Sequence, residues 1–190
     1  MSLFSKLLLR KKKLNHATIT LIGPSKSGKT TLVRHIETGE VVSEELHTTL
    51  GIEIRKNPID IDGWRLRAID TGGQEIYQQT FWELAIIQAN AVIFVIDATV
   101  RRETNEEIYE LSKQQFEYAL DIVPEQVPIL VLLNKQDLKE LNPMSAKDAF
   151  EIFNLALFQN RTIAYLPCSA KFGDGVQEAM SWLVDKIELE

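Results

Sequence analysis

An α/β fold, with a six-stranded, mostly parallel sheet and helices on both faces, is what this sequence predicts. Three observations carry that reading. Strand-like and helix-like stretches alternate from residue 17 onward, the order of a sheet wound through helical crossovers. Two short runs, 91–96 (AVIFVI) and 129–133 (ILVLL), are apolar at every position, as strands buried on both faces are. One turn signal, Asp62-Gly63, joins two strand-like stretches directly, so one strand pair is antiparallel and lies at an edge.

The elements follow in order. Residues 17–22 (ATITLI) are apolar and β-branched and run into Gly23. A helix is predicted over 28–37. Residues 52–61 alternate apolar and polar, as a half-exposed strand does, and 64–69 is the returning strand. Between the two apolar strands, 103–122 is polar on one face and helical. Another helix spans 145–153 with Ser145 as its N-cap. A short strand at 163–166 and a helix over 174–187 close the chain. Crossovers in such a sheet are right-handed. Ligands sit beyond the carboxyl ends of its strands, so the residues that follow each strand are the ones to read.

After the first strand comes Gly23-Pro24-Ser25-Lys26-Ser27-Gly28-Lys29-Thr30, which fits G-x-x-x-x-G-K-[ST]. Its glycines let backbone N–H groups close around a phosphate, and the helix behind presents its positive end to the same anion. Lys29 is expected to reach the β- and γ-phosphates and the Thr30 hydroxyl to bind Mg²⁺. After the third strand comes Asp70-Thr71-Gly72-Gly73-Gln74. Asp70 can hold Mg²⁺ through water, Gly73 lets an N–H approach a γ-phosphate, and Gln74 can orient an attacking water. After the fifth strand comes Asn134-Lys135-Gln136-Asp137. A carboxylate at Asp137 can accept two N–H bonds from guanine and not from adenine, while the Lys135 stem packs on the base. After the sixth strand, Cys168-Ser169-Ala170-Lys171 offers the Ala170 N–H to a guanine oxygen.

Four strand ends in this order resemble those of the small GTPases of the Ras superfamily. Asp70-Thr71-Gly72-Gly73-Gln74, the Asn-Lys-Gln-Asp form of the base motif and the extension before the first strand resemble the Arf and Arf-like family, over about residues 15–188. The resemblance implies a P-loop G domain over 15–190 preceded by a head at 1–14, with GTP or GDP as ligand and Mg²⁺ as cofactor. It implies a first switch over 39–51, with Thr49 as a Mg²⁺ ligand beside Thr30 and Asp70, and an interswitch hairpin at about 52–69 that shifts register with the nucleotide. Gln74, Lys29 and Thr49 then carry slow GTP hydrolysis. Gly23, Ser25, Lys26, Ser27, Gly28, Thr31, Ser169 and Lys171 complete the nucleotide site. An exchange factor, an activating protein and effectors are the implied partners of a monomer. This sequence also departs from the family. Its phosphate loop has no acid and gains Lys26. Ile52, Ile69 and Ala85 stand where aromatic residues are common. Residue 2 is serine, which cannot be myristoylated. No arginine lies close before Thr49 to act in cis.

Composition narrows the remaining classes. The chain has 190 residues, 45% hydrophobic and 25% charged, which excludes wholesale disorder. Its one cysteine, Cys168, allows no internal disulfide and favours a cytoplasmic setting. The apolar runs are far shorter than the ~20 residues of a membrane span. A net charge of −6 argues against nucleic acid as a partner. Residues 1–13 carry five basic groups and no acid, so the rest of the chain carries −11. In that head, Leu3, Phe4, Leu7 and Leu8 share one helical face. The face suits an amphipathic helix lying reversibly on an anionic membrane; the plainer reading is a helix packed on the domain. His16, His35 and His47 lack metal spacing and are expected at the surface or its boundary. Trp64, Trp82 and Trp182 are expected in the core or an interface. Two other functions remain open from the residues: a P-loop ATPase or small-molecule kinase, which Asp137 disfavours, and a non-catalytic GTP-binding scaffold or receptor subunit.

Overall fold

A computed structural model describes residues 14–43, 47, 49–72, 78–153 and 160–188. The chain runs β1 (Asn15–Ile22), α1 (Lys29–Thr38), β2 (Ile52–Ile54), β3 (Ile59–Ile61), β4 (Trp64–Thr71), α2 (Gln78–Ile86), β5 (Ala91–Asp97), α3 (Glu106–Ile122), β6 (Ile129–Asn134), a 3-10 turn (Lys139–Leu141), α4 (Ala146–Ile152), β7 (Ile163–Pro167) and α5 (Val176–Asp185). The sheet order is β2-β4-β1-β5-β6-β7, with β3 also on β4. The pairs among β4, β1, β5, β6 and β7 are parallel; β2 and β3 are antiparallel to β4.

Among the described residues seven strands replace the expected six, because residues 52–61 do not form one strand. The ladder continues one residue past β2, with Arg55 N–H donating to Ala68 O at 2.9 Å, and then stops. Pro58 has no N–H to donate, so pairing resumes only at Ile59. The turn at Asp62 and Gly63 has φ of 46° and 87°, the left-handed pair that a two-residue hairpin needs. Helix α2 was not expected from the sequence pattern. At α4 the capping is as read: Ser145 accepts from the Asp148 N–H, and Asp148 accepts in return from the Ser145 N–H.

Alternation along the strands feeds two cores. One face of the sheet buries Ile19, Leu21, Ile93, Val95, Leu130 and Leu132 against Leu32 and Val33 of α1 and Met180 and Leu183 of α5. The other buries Val92, Phe94, Ile96, Val131 and Leu133 against Trp82 of α2, Phe116 of α3 and Ala149 of α4. Trp64 and Trp82 are core residues and Trp182 packs at the edge of the core, as expected. The register fixes the site: Leu21 lies beside Asp70, Asp97 beside Asn134, and Leu133 beside Pro167. The carboxyl ends of five strands therefore finish at one level, along one rim. No helix among the described residues is long and apolar enough to cross a membrane.

Candidate functional site

A cavity of about 870 Å³ opens at that rim, running from Lys29, Thr30 and Thr49 at one end to Asp137 and Lys171 at the other. At the first end the chain leaves β1 through Gly23 to Gly28 and enters α1. Gly28 is the N-cap at φ 100°, and no side chain among the described residues caps the helix, so its first N–H groups stay available to an anion. A Cβ on Gly23 would collide with the Val95 carbonyl, and one on Gly28 with the Asn134 amide. The close wrap therefore requires glycine at both positions. Lys29 is 6% exposed. Its ammonium donates to Gly23 O and Pro24 O, each at 2.8 Å. An ammonium has three donors, so one remains for a phosphate. Ser25 and Thr31 line the cavity, and Lys26 lies at its rim, exposed and at φ 61°. Ser27 is buried.

Burial lowers the Lys29 pKa from 10.5 to about 8, against the pull of the Asp70 charge. The unfolded chain holds this proton up to its ordinary pKa. Between about pH 8 and 10.5 it thus binds more protons than the folded chain, and stability rises with pH. Nucleotide-free protein is expected to gain about 3 kcal/mol from this group across that window. Lys29→Met should lack the gain, and so should protein loaded with a nucleotide whose phosphates hold the ammonium charged. Thermal melting against pH, wild type beside Lys29→Met, checks it.

Next to Lys29 three oxygens converge. The Thr30 hydroxyl donates to Asp70 Oδ2 at 2.6 Å, the Thr49 hydroxyl to the same oxygen at 3.3 Å, and the two hydroxyls are 2.9 Å apart. Asp70 is fully buried. Its Oδ1 has no hydrogen-bond partner among the described residues. Burial raises its pKa, opposed by the Thr30 hydrogen bond and the Lys29 charge. A buried carboxylate with an orphaned oxygen and two adjacent hydroxyls forms a hard oxygen donor set, which fits Mg²⁺.

At the far end, Asn134 ties three loops together. Its Nδ2 donates to Ser27 O and its Oδ1 accepts the Ala170 N–H, both at 2.8 Å. That N–H, expected to face a guanine oxygen, is thus donated to the Asn134 side chain instead. Ser169 Oγ donates to Asp137 Oδ1 at 2.7 Å, which orients the carboxylate. Lys135 is at φ 69° and its ammonium meets Asp97 Oδ2 at 2.6 Å. Lys171 O accepts from Val42 N–H at 3.0 Å, tying the segment after α1 to the same loop.

The sequence reading missed Asp97, although an acid at the carboxyl end of β5 met its own criterion. It also missed Val42, Ser43 and Leu138, which line the cavity; these carry no local signal. His47 is exposed, as expected, and lines the cavity too. No cluster of three or more His, Cys, Asp or Glu suited to a metal occurs among the described residues. Gly73, Gln74 and the head at 1–13 lie outside the described residues.

The sequence profile of the ADP-ribosylation factor family matches residues 1–187. ADP-ribosylation factor-like protein 3 of Chlamydomonas reinhardtii is 29% identical over 188 residues, covering 99% of this chain and all of that protein.

Proposed function

The chain belongs to the ADP-ribosylation factor family of small GTPases, and from that premise we propose a Mg²⁺-dependent GTP switch that hydrolyses its nucleotide slowly. The observation that carries the reading is the meeting of Thr30, Thr49 and Asp70 oxygens beside Lys29, at one end of a cavity whose other end holds Asp137. In this reading Lys29, the open end of α1 and the loop N–H groups hold the phosphates. Thr30, Thr49 and Asp70 would hold Mg²⁺. The metal supplies charge neutralisation on the phosphates. Asp137, set by Ser169, reads guanine, with Lys135 along the base. Gln74 positions the attacking water.

The test is to extract the nucleotide from purified protein and then follow GTP hydrolysis with Mg²⁺. Turnover near ~10⁻⁴ to 10⁻² s⁻¹ is expected, the range of relatives without an activating protein. Gln74→Leu should leave GTP affinity unchanged and slow turnover on the order of tenfold, because water loses its orientation while the phosphate contacts remain. Turnover above about 1 s⁻¹ would place a catalytic cation beside the phosphates, and Lys26 is the residue to substitute in that case.

We propose further that 1–14 is a head distinct from the domain at 15–190, and that it binds anionic membranes reversibly from the cytoplasm in the GTP state. Four large apolar side chains offer about 6 kcal/mol at most, and each basic group adds about 1 kcal/mol near an anionic surface. Ordering the helix offsets much of this. Flotation with anionic liposomes should capture the protein loaded with a non-hydrolysable GTP analogue and not with GDP. Capture should be lost in Phe4→Glu/Leu8→Glu. Protein that stays in solution in both states refutes the membrane reading.

A further inference from the structure

Strand β2 is attached to the domain in an unusual way. All three of its residues are exposed: Ile52 is 36% and Ile54 56% open to solvent. Burial of apolar side chains, the main force that fixes a strand on a core, therefore does little for it. It is an edge strand, with β4 as its one neighbour in the sheet among the described residues. Yet the residues just before it must be placed well, because Thr49 has to bring its hydroxyl to Asp70 and Thr30.

The residue after β2 supplies the missing attachment. Arg55 makes a two-pronged ion pair with Glu37 in the last turn of α1, Nε to Oε1 at 3.2 Å and Nη2 to Oε2 at 2.5 Å. Its remaining Nη1 reaches Glu53 at 2.9 Å. The Glu37 side chain is 5% exposed and that of Arg55 19%. A carboxylate so far removed from water is costly without its partner, and the planar guanidinium matches it in one geometry only. Segment 49–55 is thus held at both ends on the same helix: Thr49 on Thr30 in the first turn of α1, Arg55 on Glu37 in the last.

We infer that Glu37 and Arg55 are a positioning pair for Thr49, and that they favour the triphosphate-bound, Mg²⁺-bound state over the diphosphate state. The inference rests on the reading of Thr49 as a metal ligand. Neither Glu37 nor Arg55 is among the residues that line the cavity. Loss of the pair should leave diphosphate binding intact and weaken the triphosphate complex.

The experiment uses full-length protein and measures affinity for GDP and for a non-hydrolysable GTP analogue, with and without Mg²⁺. Arg55→Gln and Glu37→Gln should each lower the analogue-to-GDP affinity ratio about tenfold in Mg²⁺, with GDP affinity within twofold of wild type. The exchanged pair Glu37→Arg/Arg55→Glu should restore the ratio to within threefold. An unchanged ratio in the single variants overturns the inference, as does equal weakening of both nucleotides, the mark of a merely structural pair. Should the neutral variants fail to fold, Arg55→Lys keeps the charge without the fork: a threefold drop in the ratio supports the inference, no drop overturns it. Thr49→Ala separates the two readings. If it leaves the ratio unchanged, the metal role of Thr49 fails and the inference with it. If it lowers the ratio while the Arg55 variants do not, only the pair is wrong.

Discussion

Asp137→Ala is expected to weaken GTP binding by about 3–5 kcal/mol, more than a hundredfold, through the loss of two charge-assisted hydrogen bonds to the base. The structure supports an effect confined to base reading. The carboxylate is oriented by Ser169 Oγ, but the loop that carries Ser169 is held independently, by Ala170 N–H on Asn134. Asn134 also holds the phosphate loop at Ser27 O. Removing the Asp137 carboxylate therefore leaves the frame of the cavity standing. Asp137→Asn is the sharper probe. An amide accepts from the ring N–H and donates to a carbonyl at the position of the guanine amino group, so preference should move to xanthosine nucleotides. Competition of GTP, ATP and xanthosine triphosphate against a fluorescent nucleotide reads both variants. Equal wild-type affinity for ATP and GTP would remove Asp137 from base selection.

Much of this site was legible because its chemistry is local in sequence. Asp70, Asn134 and Asp137 are each read from the few residues that follow a strand, and strands announce themselves by alternation or by continuous apolar runs. What stayed hidden was the pairing of distant residues. Asp97 with Lys135 and Glu37 with Arg55 are 38 and 18 positions apart. Asp97, Glu37 and Arg55 carry no motif, and Lys135 is marked by its motif for the base and not for an acid, so only the sheet register and the reach of α1 bring the partners together. Helix α2 was hidden for another reason. Trp82, Ala85 and Ile86 are buried on its inner face, but Leu84, and Ile87 just past its end, are 53% and 78% exposed. Apolar residues on both faces erase the 3.6-residue period that marks a surface helix. The break at 52–61 does leave a mark in the sequence: the apolar phase passes from Ile52 and Ile54 to Ile59 and Ile61 across the polar run Arg55-Lys56-Asn57 and Pro58, and reading the stretch as one alternating strand passes over that change. The Ala170 N–H shows the limit of motif reading: its residue was identified, while its hydrogen-bond partner depended on where Asn134 points.

Gly72→Ala is expected to abolish most of the preference for triphosphate, from one added methyl group. Gly72 follows β4, and its N–H donates to Gly51 O at 2.7 Å, continuing the ladder that pairs Ile52 with Thr71. A Cβ at this position would lie 2.6 Å from Thr49 O and 3.1 Å from Gly51 N. Both are backbone atoms, so no side chain can rotate away, and the two segments must separate. Overpacking of this kind costs about 1–3 kcal/mol. The segment before β2 yields more readily than β4, because Leu50 is 77% exposed and contributes no core packing, whereas β4 is paired along its length with β1. Thr49 then leaves Asp70 and Thr30, and a metal held there loses a ligand. The affinity ratio of a non-hydrolysable GTP analogue to GDP in Mg²⁺ should fall by up to about a hundredfold. Affinity for GDP should change little, since the loops around Lys29 and Asp137 make no contact with the displaced segment through Gly72. Thermal stability without nucleotide should fall by no more than that overpacking cost, about 1–3 kcal/mol, because the core strands keep their places. Thr49→Ala should reproduce the same loss without displacing the backbone. A ratio that stays at the wild-type value in Gly72→Ala would mean that the close approach of Gly72 to Thr49 plays no part in distinguishing the two nucleotides.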